Sequence, residues 1–164
     1  MAFESITDEK IRNLLRTRKR VTNPGTRAKI KDGNEQYNYK VLSLDDKNLV
    51  FTLYTRQNLR PGMEADFSCG LSWLAPNGQN LTLIRYNGPS HPHRNKMEGS
   101  RLNKESHIHL ATERYIGANI KPEGFAEPTE RYSTLNGALH CLVIDCSIDG
   151  IPTTADEPYL SDEF

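Results

Sequence analysis

The sequence predicts an α+β fold in a single domain. An antiparallel β-sheet of five to six strands runs as a meander, with an N-terminal and a C-terminal helix around it. Three observations predict this. A capped segment with an apolar stripe opens the chain, β-rich runs separated by Gly, Pro and Asn turns follow, and apolar residues return at helical spacing near the end. With 164 residues the chain has the size of one domain and can bury a core. We place that domain over residues 1–150 and an acidic tail over residues 151–164.

The first helix is expected over residues 5–20. Ser5 can cap it, Asp8 and Glu9 suit its first turn, and Ile11, Leu14 and Leu15 form its stripe. Arg16, Arg18, Lys19 and Arg20 would then fall in the last turn, complementing the helix dipole or forming a phosphate-contacting cluster. Asn23-Pro24-Gly25 stops the helix. Strands follow over residues 26–31, 37–44, 49–54, 67–74 and 81–86, with Asp32-Gly33-Asn34, Asp45-Asp46-Lys47-Asn48, Pro61-Gly62 and Pro76-Asn77-Gly78 as turns. Residues 87–104 are nearly devoid of apolar side chains and read as a long exposed loop. Residues 106–111 alternate and suit a sixth strand, and residues 119–128 read as irregular. The last helix is expected over residues 129–146, capped by Thr129, with Tyr132, Leu135, Leu139, Leu142, Val143 and Cys146 at helical spacing. The tail is expected to be loose or docked.

Composition narrows the function classes. Apolar content of 36% and charged content of 26% fit a somewhat polar globular domain rather than a disordered one. No stretch approaches the roughly 20 apolar residues that span a bilayer, and the N-terminus lacks the basic flank and apolar region of a signal peptide. Cys69, Cys141 and Cys146 form no even set and no paired motif, so we read reduced core cysteines in a cytoplasmic protein. Formal net charge is zero but polarised. Residues 1–40 hold ten Lys and Arg against five Asp and Glu, a net of +5, whereas residues 141–164 hold six acids and no Lys or Arg, a net of −6. A uniformly basic DNA-coating protein is thereby excluded, and a local basic surface is not. The chain has no P-loop, dinucleotide glycine fingerprint or serine-hydrolase elbow.

The chemistry concentrates between residues 85 and 115. Four of the five histidines lie there as two His-x-His pairs, His91 with His93 and His107 with His109, among Arg85, Arg94 and Arg114, Tyr86 and Tyr115, and Glu98, Glu105 and Glu113. On a strand His107 and His109 share one face, and a hairpin over residues 81–111 would bring both pairs together. Three functions suit these residue types. The first is metal-free phosphodiester cleavage of RNA. Here His91, His93, His107 and His109 are acid/base candidates with Tyr115 as helper, and Arg85, Arg94 and Arg114 hold the phosphate. Tyr86 stacks on a base. The second is a surface that binds a protein or nucleic-acid partner without catalysis. The third is a metal site, since His-x-His pairs beside carboxylates suit zinc, iron or manganese. His91-x-His93 followed by Glu98 loosely looks like the first cupin motif, but the second is missing. Six basic and three acidic residues over 85–115, a net of +3, also favour an anion over a cation. A purely structural reading leaves these histidines solvated or bonded to neighbours. Tyr37, Tyr39, Tyr54, Phe51, Phe67 and Trp73 are read as core, His140 as a boundary residue, and Cys69 as no nucleophile.

The pattern Arg85-Tyr86-Asn87-Gly88, His91-x-His93-x-Asn95 and His107-x-His109 resembles small prokaryotic proteins carried by mobile elements. Among them are toxin-like proteins with clustered histidines after a strand-end arginine. The paired histidine motifs of the 2H phosphoesterases are not matched. The resemblance implies a bacterial or phage conflict protein. The expectation is therefore a small endoribonuclease-like protein that needs no cofactor and no metal, acts on RNA or meets a protein partner (an antitoxin or nucleoprotein target), and does not enter membranes. The alternatives are a non-enzymatic phage or mobile-element protein that inhibits its partner, and a histidine-cluster metal-binding protein.

Overall fold

The computed structural model describes residues 6–156, so the expected cap Ser5 and the end of the acidic tail lie outside the described residues. Helix α1 is Asp8–Arg16, and Thr7 caps it by accepting from the Lys10 N–H at 3.1 Å. Ile11 and Leu14 carry its buried face. The helix ends four residues before the expected limit. Lys19 and Val21 are buried while Arg20 is exposed, a two-residue period, and Lys19–Val21 form strand β1. The expected basic last turn therefore keeps only Arg16. Arg18 pairs with Asp45 at 2.7 Å and Arg20 with Asp149 at 3.0 Å. Lys19 is fully buried, and its ammonium donates to the carbonyls of Leu15, Thr17 and Cys146, each at 2.8 Å. One buried cation thus binds the carboxyl ends of the first and last helices, where peptide dipoles favour positive charge.

Strands β2 (Lys29–Lys31), β3 (Asn34–Ser43), β4 (Val50–Asn58), β5 (Phe67–Leu74) and β6 (Asn80–Asn87) follow as a meander. Asp32 and Gly33 both take positive φ, 51° and 77°, so the β2–β3 hairpin turns through a type I′ geometry. The chain then makes a small ribbon of β7 (His93–Arg94) and β8 (Arg101–Leu102), and returns as β9 (His107–Leu110). A short helix α2 (Glu113–Gly117), strand β10 (Phe125–Pro128), helix α3 (Leu135–Asp145) and strand β11 (Ile148–Asp149) complete the order.

The α+β class and the largely antiparallel meander match the expectation, but the sheet is larger and mixed. Nine strands join in the order β10-β9-β6-β5-β4-β3-β1-β11, with β2 paired to β3. Strand β11 adds parallel to β1, with Lys19 opposite Ile148. The parallel pair arises because the chain crosses the sheet through α3 before pairing again. Two further elements depart from expectation. The expected loop over residues 87–104 contains the β7–β8 ribbon, and the irregular stretch over 119–128 contains β10.

Residues of one parity face the helices: Phe51 and Leu53 of β4, Phe67, Cys69, Leu71 and Trp73 of β5, and Tyr86 of β6 are all buried. Helix α3 packs on β4, β5 and β6 through Ala138, Cys141 and Leu142. It starts at Leu135, capped by Thr134 rather than Thr129. Asp156 adds a second cap by accepting from the backbone N–H groups of Ser133 and Thr134. Gly137 makes room for it, because a Cβ there would collide with the Asp156 carboxylate. The opposite face is polar: Thr52, Tyr54 and Arg56 of β4, Ser68 and Gly70 of β5, Arg85 and Asn87 of β6, and His107 and His109 of β9 line up across it. Among the described residues no helix is long and apolar enough to cross a membrane.

Candidate functional site

The polar face builds the site by register. Arg85 of β6 lies opposite His109 of β9, and Asn87 opposite His107. On the other side of Arg85 stands Gly70, where a Cβ would come within 2.7 Å of the Tyr54 ring and 2.9 Å of the Ile84 carbonyl. Glycine therefore lets Tyr54 lean over the strand beside Arg85. Residues 88–106 fold back over this end of the face. Asn95, 3% exposed, anchors them to the edge strand by donating to the Ala126 carbonyl at 2.9 Å and accepting from the Ala126 N–H at 2.8 Å. The anchoring brings His93 onto the strand histidines.

Three imidazoles meet as a result. The His93 and His109 ring centres lie 4.6 Å apart, those of His107 and His109 4.9 Å, and those of His93 and His107 5.8 Å. Each ring is oriented by a backbone carbonyl: His93 Nε2 by Gly124 at 2.7 Å, His107 Nδ1 by Glu105 at 2.8 Å, and His109 Nδ1 by Glu123 at 2.9 Å. A carbonyl only accepts, so those nitrogens carry the protons. His93 Nδ1, His107 Nε2 and His109 Nε2 are then the nitrogens left to face a ligand, and none has a hydrogen-bond partner among the described residues.

The electrostatics hold the strand histidines neutral. Burial pushes His109 down to about 2, and the charge of Arg85 and the neighbouring imidazoles act in the same direction. Burial also lowers His107, again with help from His93 and Arg85 and against the Glu105 carbonyl. Arg85 is itself paired, donating to Glu123 Oε2 at 3.2 Å, and the Glu123 residue is 6% exposed. Its Nε and the Asn87 Oδ1 are buried without a hydrogen-bond partner among the described residues. The site therefore offers a cationic guanidinium, an unsatisfied donor, an unsatisfied acceptor and three proton-accepting nitrogens. The lone-pair set is one that metals use, yet among the described residues no group of three or more His, Cys, Asp or Glu is arranged to hold a metal ion.

The remaining sequence-predicted residues go elsewhere. His91 is exposed and Arg94 points outward on the ribbon. Arg114 is exposed and pairs with Glu98 at 3.0 Å. Tyr115 is buried, donates to Glu98 at 2.6 Å and accepts from the Met97 N–H at 3.2 Å, so it pins the covering segment. Tyr86 lies on the helix side of the sheet, fully buried, and donates to Asp145. Its parity differs from that of Arg85, which places the two neighbours on opposite faces. Sequence reading gave no role to Asn95 or Glu123 and read Tyr54 as core, whereas Tyr54 stands on the polar face over Gly70. Tyr54 shares the parity of Thr52 and Arg56 rather than of Phe51 and Leu53, a signal legible in the alternation. Burial raises the Tyr54 hydroxyl, opposed by Arg85. Asn95 stood in the histidine motif without a role and nothing local announces Glu123, because both act through contacts 31 and 38 residues away in sequence. No protein-family model, curated protein or solved structure matches this chain.

Proposed function

We propose that this protein cleaves RNA without a metal, as a small endoribonuclease of the toxin-like kind. The observation that carries the reading is the meeting of three carbonyl-oriented imidazoles beside Arg85. His107 is the general base: its lowered proton affinity keeps Nε2 free near neutral pH. It takes the 2′-hydroxyl proton, the 2′-oxygen attacks phosphorus, and the bond to the 5′-oxygen breaks. His93, half-buried and the most accessible of the three, delivers a proton to that leaving oxygen. The products are a 2′,3′-cyclic phosphate and a 5′-hydroxyl. Arg85 stabilises the charge that develops on the phosphate. His109, neutral down to about pH 2, serves to position the other two rings rather than to donate. Fluorescent RNA incubated with the protein in EDTA tests the reading. Cleavage that is lost in His107→Ala and in His93→Ala is expected, and an inert wild type overturns it.

A second reading is a metal centre on the same three rings. One observation favours it: each ring has one nitrogen fixed by a carbonyl, as metal-ligating histidines do. In the same assay, cleavage abolished by EDTA and restored by zinc assigns the site to this class. A wild type that binds RNA tightly but cleaves nothing assigns it to the partner-binding class.

A further inference from the structure

One row of the sheet runs from an edge to the histidine cluster. Lys29 of β2 stands opposite Gln36 of β3, Gln36 opposite Arg56 of β4, Arg56 opposite Ser68 of β5, Ser68 opposite Asn87 of β6, and Asn87 opposite His107 of β9. Directly opposed residues share a face, so this row lies wholly on the polar side. At about 4.8 Å per strand step, the five steps from Lys29 to His107 span about 24 Å. Two open grooves of about 320 and 420 Å³ lie on the same face at the β2 end, both lined by Lys29 and Asn38. Arg27 and Lys40 line one, and Lys31 and Arg56 the other.

The charges there are available to a partner. Arg27, Lys29, Lys31 and Lys40 are all exposed, and among the described residues none of them is in an ion pair. Arg56 differs: it is held by Asp66 at 2.9 Å and donates to Asn34 and Ser68, so it shapes the groove floor rather than adding free charge. Asp32 is the one carboxylate among the groove-lining residues. The rest of the lining consists of Tyr39 and of Asn, Gln and Thr side chains, which present donors and acceptors to sugar and base edges.

We infer that this polar sheet face is the track for single-stranded RNA, with Lys29, Lys31 and Lys40 holding backbone phosphates several nucleotides away from the bond at His107. The inference rests on the nuclease reading and deepens it, by naming a single-stranded substrate and the direction in which it lies. Exposed lysines on a groove hold a phosphate backbone without reading sequence. A duplex is a poorer occupant, because the row ends under the excursion of residues 88–106, which is tied down to the edge strand through Asn95. The 5′ or 3′ sense of the strand follows from which end of a labelled oligonucleotide the lysines protect.

Fluorescence anisotropy with a 12-nucleotide single-stranded DNA tests it, since a chain lacking 2′-hydroxyls binds but cannot be cleaved. Lys29→Glu/Lys31→Glu is expected to weaken binding at least tenfold at moderate salt. It is also expected to reduce the log–log salt slope by about 1.4, at about 0.7 per phosphate contact on a single strand. Lys40→Glu independently tests the row on the far side of the one that carries Asn38, Tyr54 and Arg85, and Arg12→Glu, on an exposed position of α1, should leave binding unchanged. Cleavage of a dinucleotide, too short to reach the lysines, should be the same in wild type and Lys29→Glu/Lys31→Glu. Equal affinity and salt slope in wild type and both lysine variants overturn the track while leaving dinucleotide cleavage, and so the nuclease reading, intact. Tight oligonucleotide binding with no cleavage of any RNA overturns the nuclease reading while the track survives. Preference for a duplex over the single strand overturns the single-strand assignment.

Discussion

Acid should destabilise this protein at a pH where most domains are still at full stability, and His109 is the reason. The unfolded chain takes up a proton on this residue near pH 6.5, whereas the folded chain holds it neutral to about pH 2. Between those values the unfolded state binds more protons, so the free energy of unfolding falls as pH falls. The loss approaches about 1.4 kcal/mol per pH unit, and the whole displacement amounts to about 6 kcal/mol. That is of the order of the ~5–15 kcal/mol that holds a domain together. By pH 4.5 His109 alone removes about 3 kcal/mol. His107, lowered in the same direction by its burial, adds to the loss. The carboxylates held below their usual range, Asp45, Asp66, Asp149 and Asp156, contribute only as the pH drops to about 4 and below, so the window from pH 6.5 to 5 isolates the histidines.

Urea unfolding at half-unit steps from pH 7.5 to 4.5 measures this directly. The unfolding free energy should be level above pH 7 and then fall with a slope that steepens through pH 6. His109→Asn keeps a donor near the Glu123 carbonyl without a titrating ring, and its slope below pH 6 should be shallower by about 1.4 kcal/mol per unit. A wild-type free energy that stays constant to pH 5, or an identical slope in the variant, refutes the claim that a buried neutral imidazole sits beside Arg85.

Lys19 should act in the opposite pH range. Its folded value near 8 lies below the ordinary 10.5, so stability should rise by up to about 3 kcal/mol as pH climbs from 8 to 10.5; thermal melts should show the rise in wild type and not in Lys19→Met. Asn95→Ala leaves both the N–H and the carbonyl of Ala126 without their partner, and should cost about 1–3 kcal/mol while amide exchange accelerates at Ala126 first. Asp156→Ala removes the extra cap on α3 and should cost about 0.5–2 kcal/mol in urea titration.

The sheet was legible where alternation and turn chemistry are strong. Residues 34–87 show the two-residue period, and Asp32-Gly33 carries the positive φ that a tight hairpin needs. The ends were less legible because long-range pairing overrides local preference there. Arg18, Lys19 and Arg20 look like a basic helix end, yet β1 exists because β3 and β11 pair with it on either side. Strand β10 is four residues with a proline at its end, a pattern no periodicity test would choose, and it forms because β9 offers an edge. The shift of the last helix from Thr129 to Thr134 has a similar cause. Tyr132 donates to the Asn87 and His107 carbonyls across the sheet end, which holds residues before Leu135 out of the helix.

The histidine cluster was half legible for a related reason. His107 and His109 share a face by period alone, and Arg85 follows once β6 and β9 pair. His93 joins them, and His91 does not, because of Asn95, Glu123 and Gly124. Those contacts set a limit on what the cluster can do by itself. Two buried imidazoles beside an arginine repel protons, and Glu123 offsets only the arginine's charge. On the nuclease reading the missing negative charge is the phosphate of the RNA. Docked against Arg85, it offsets the charge that disfavours a proton on the buried rings, and the more accessible His93 faces the leaving oxygen. The substrate then supplies the electrostatic condition under which one ring becomes an acid while His107, more deeply buried and opposite Asn87 rather than Arg85, stays a base. Two roles thus come from three chemically identical side chains through differences in depth and distance from one guanidinium.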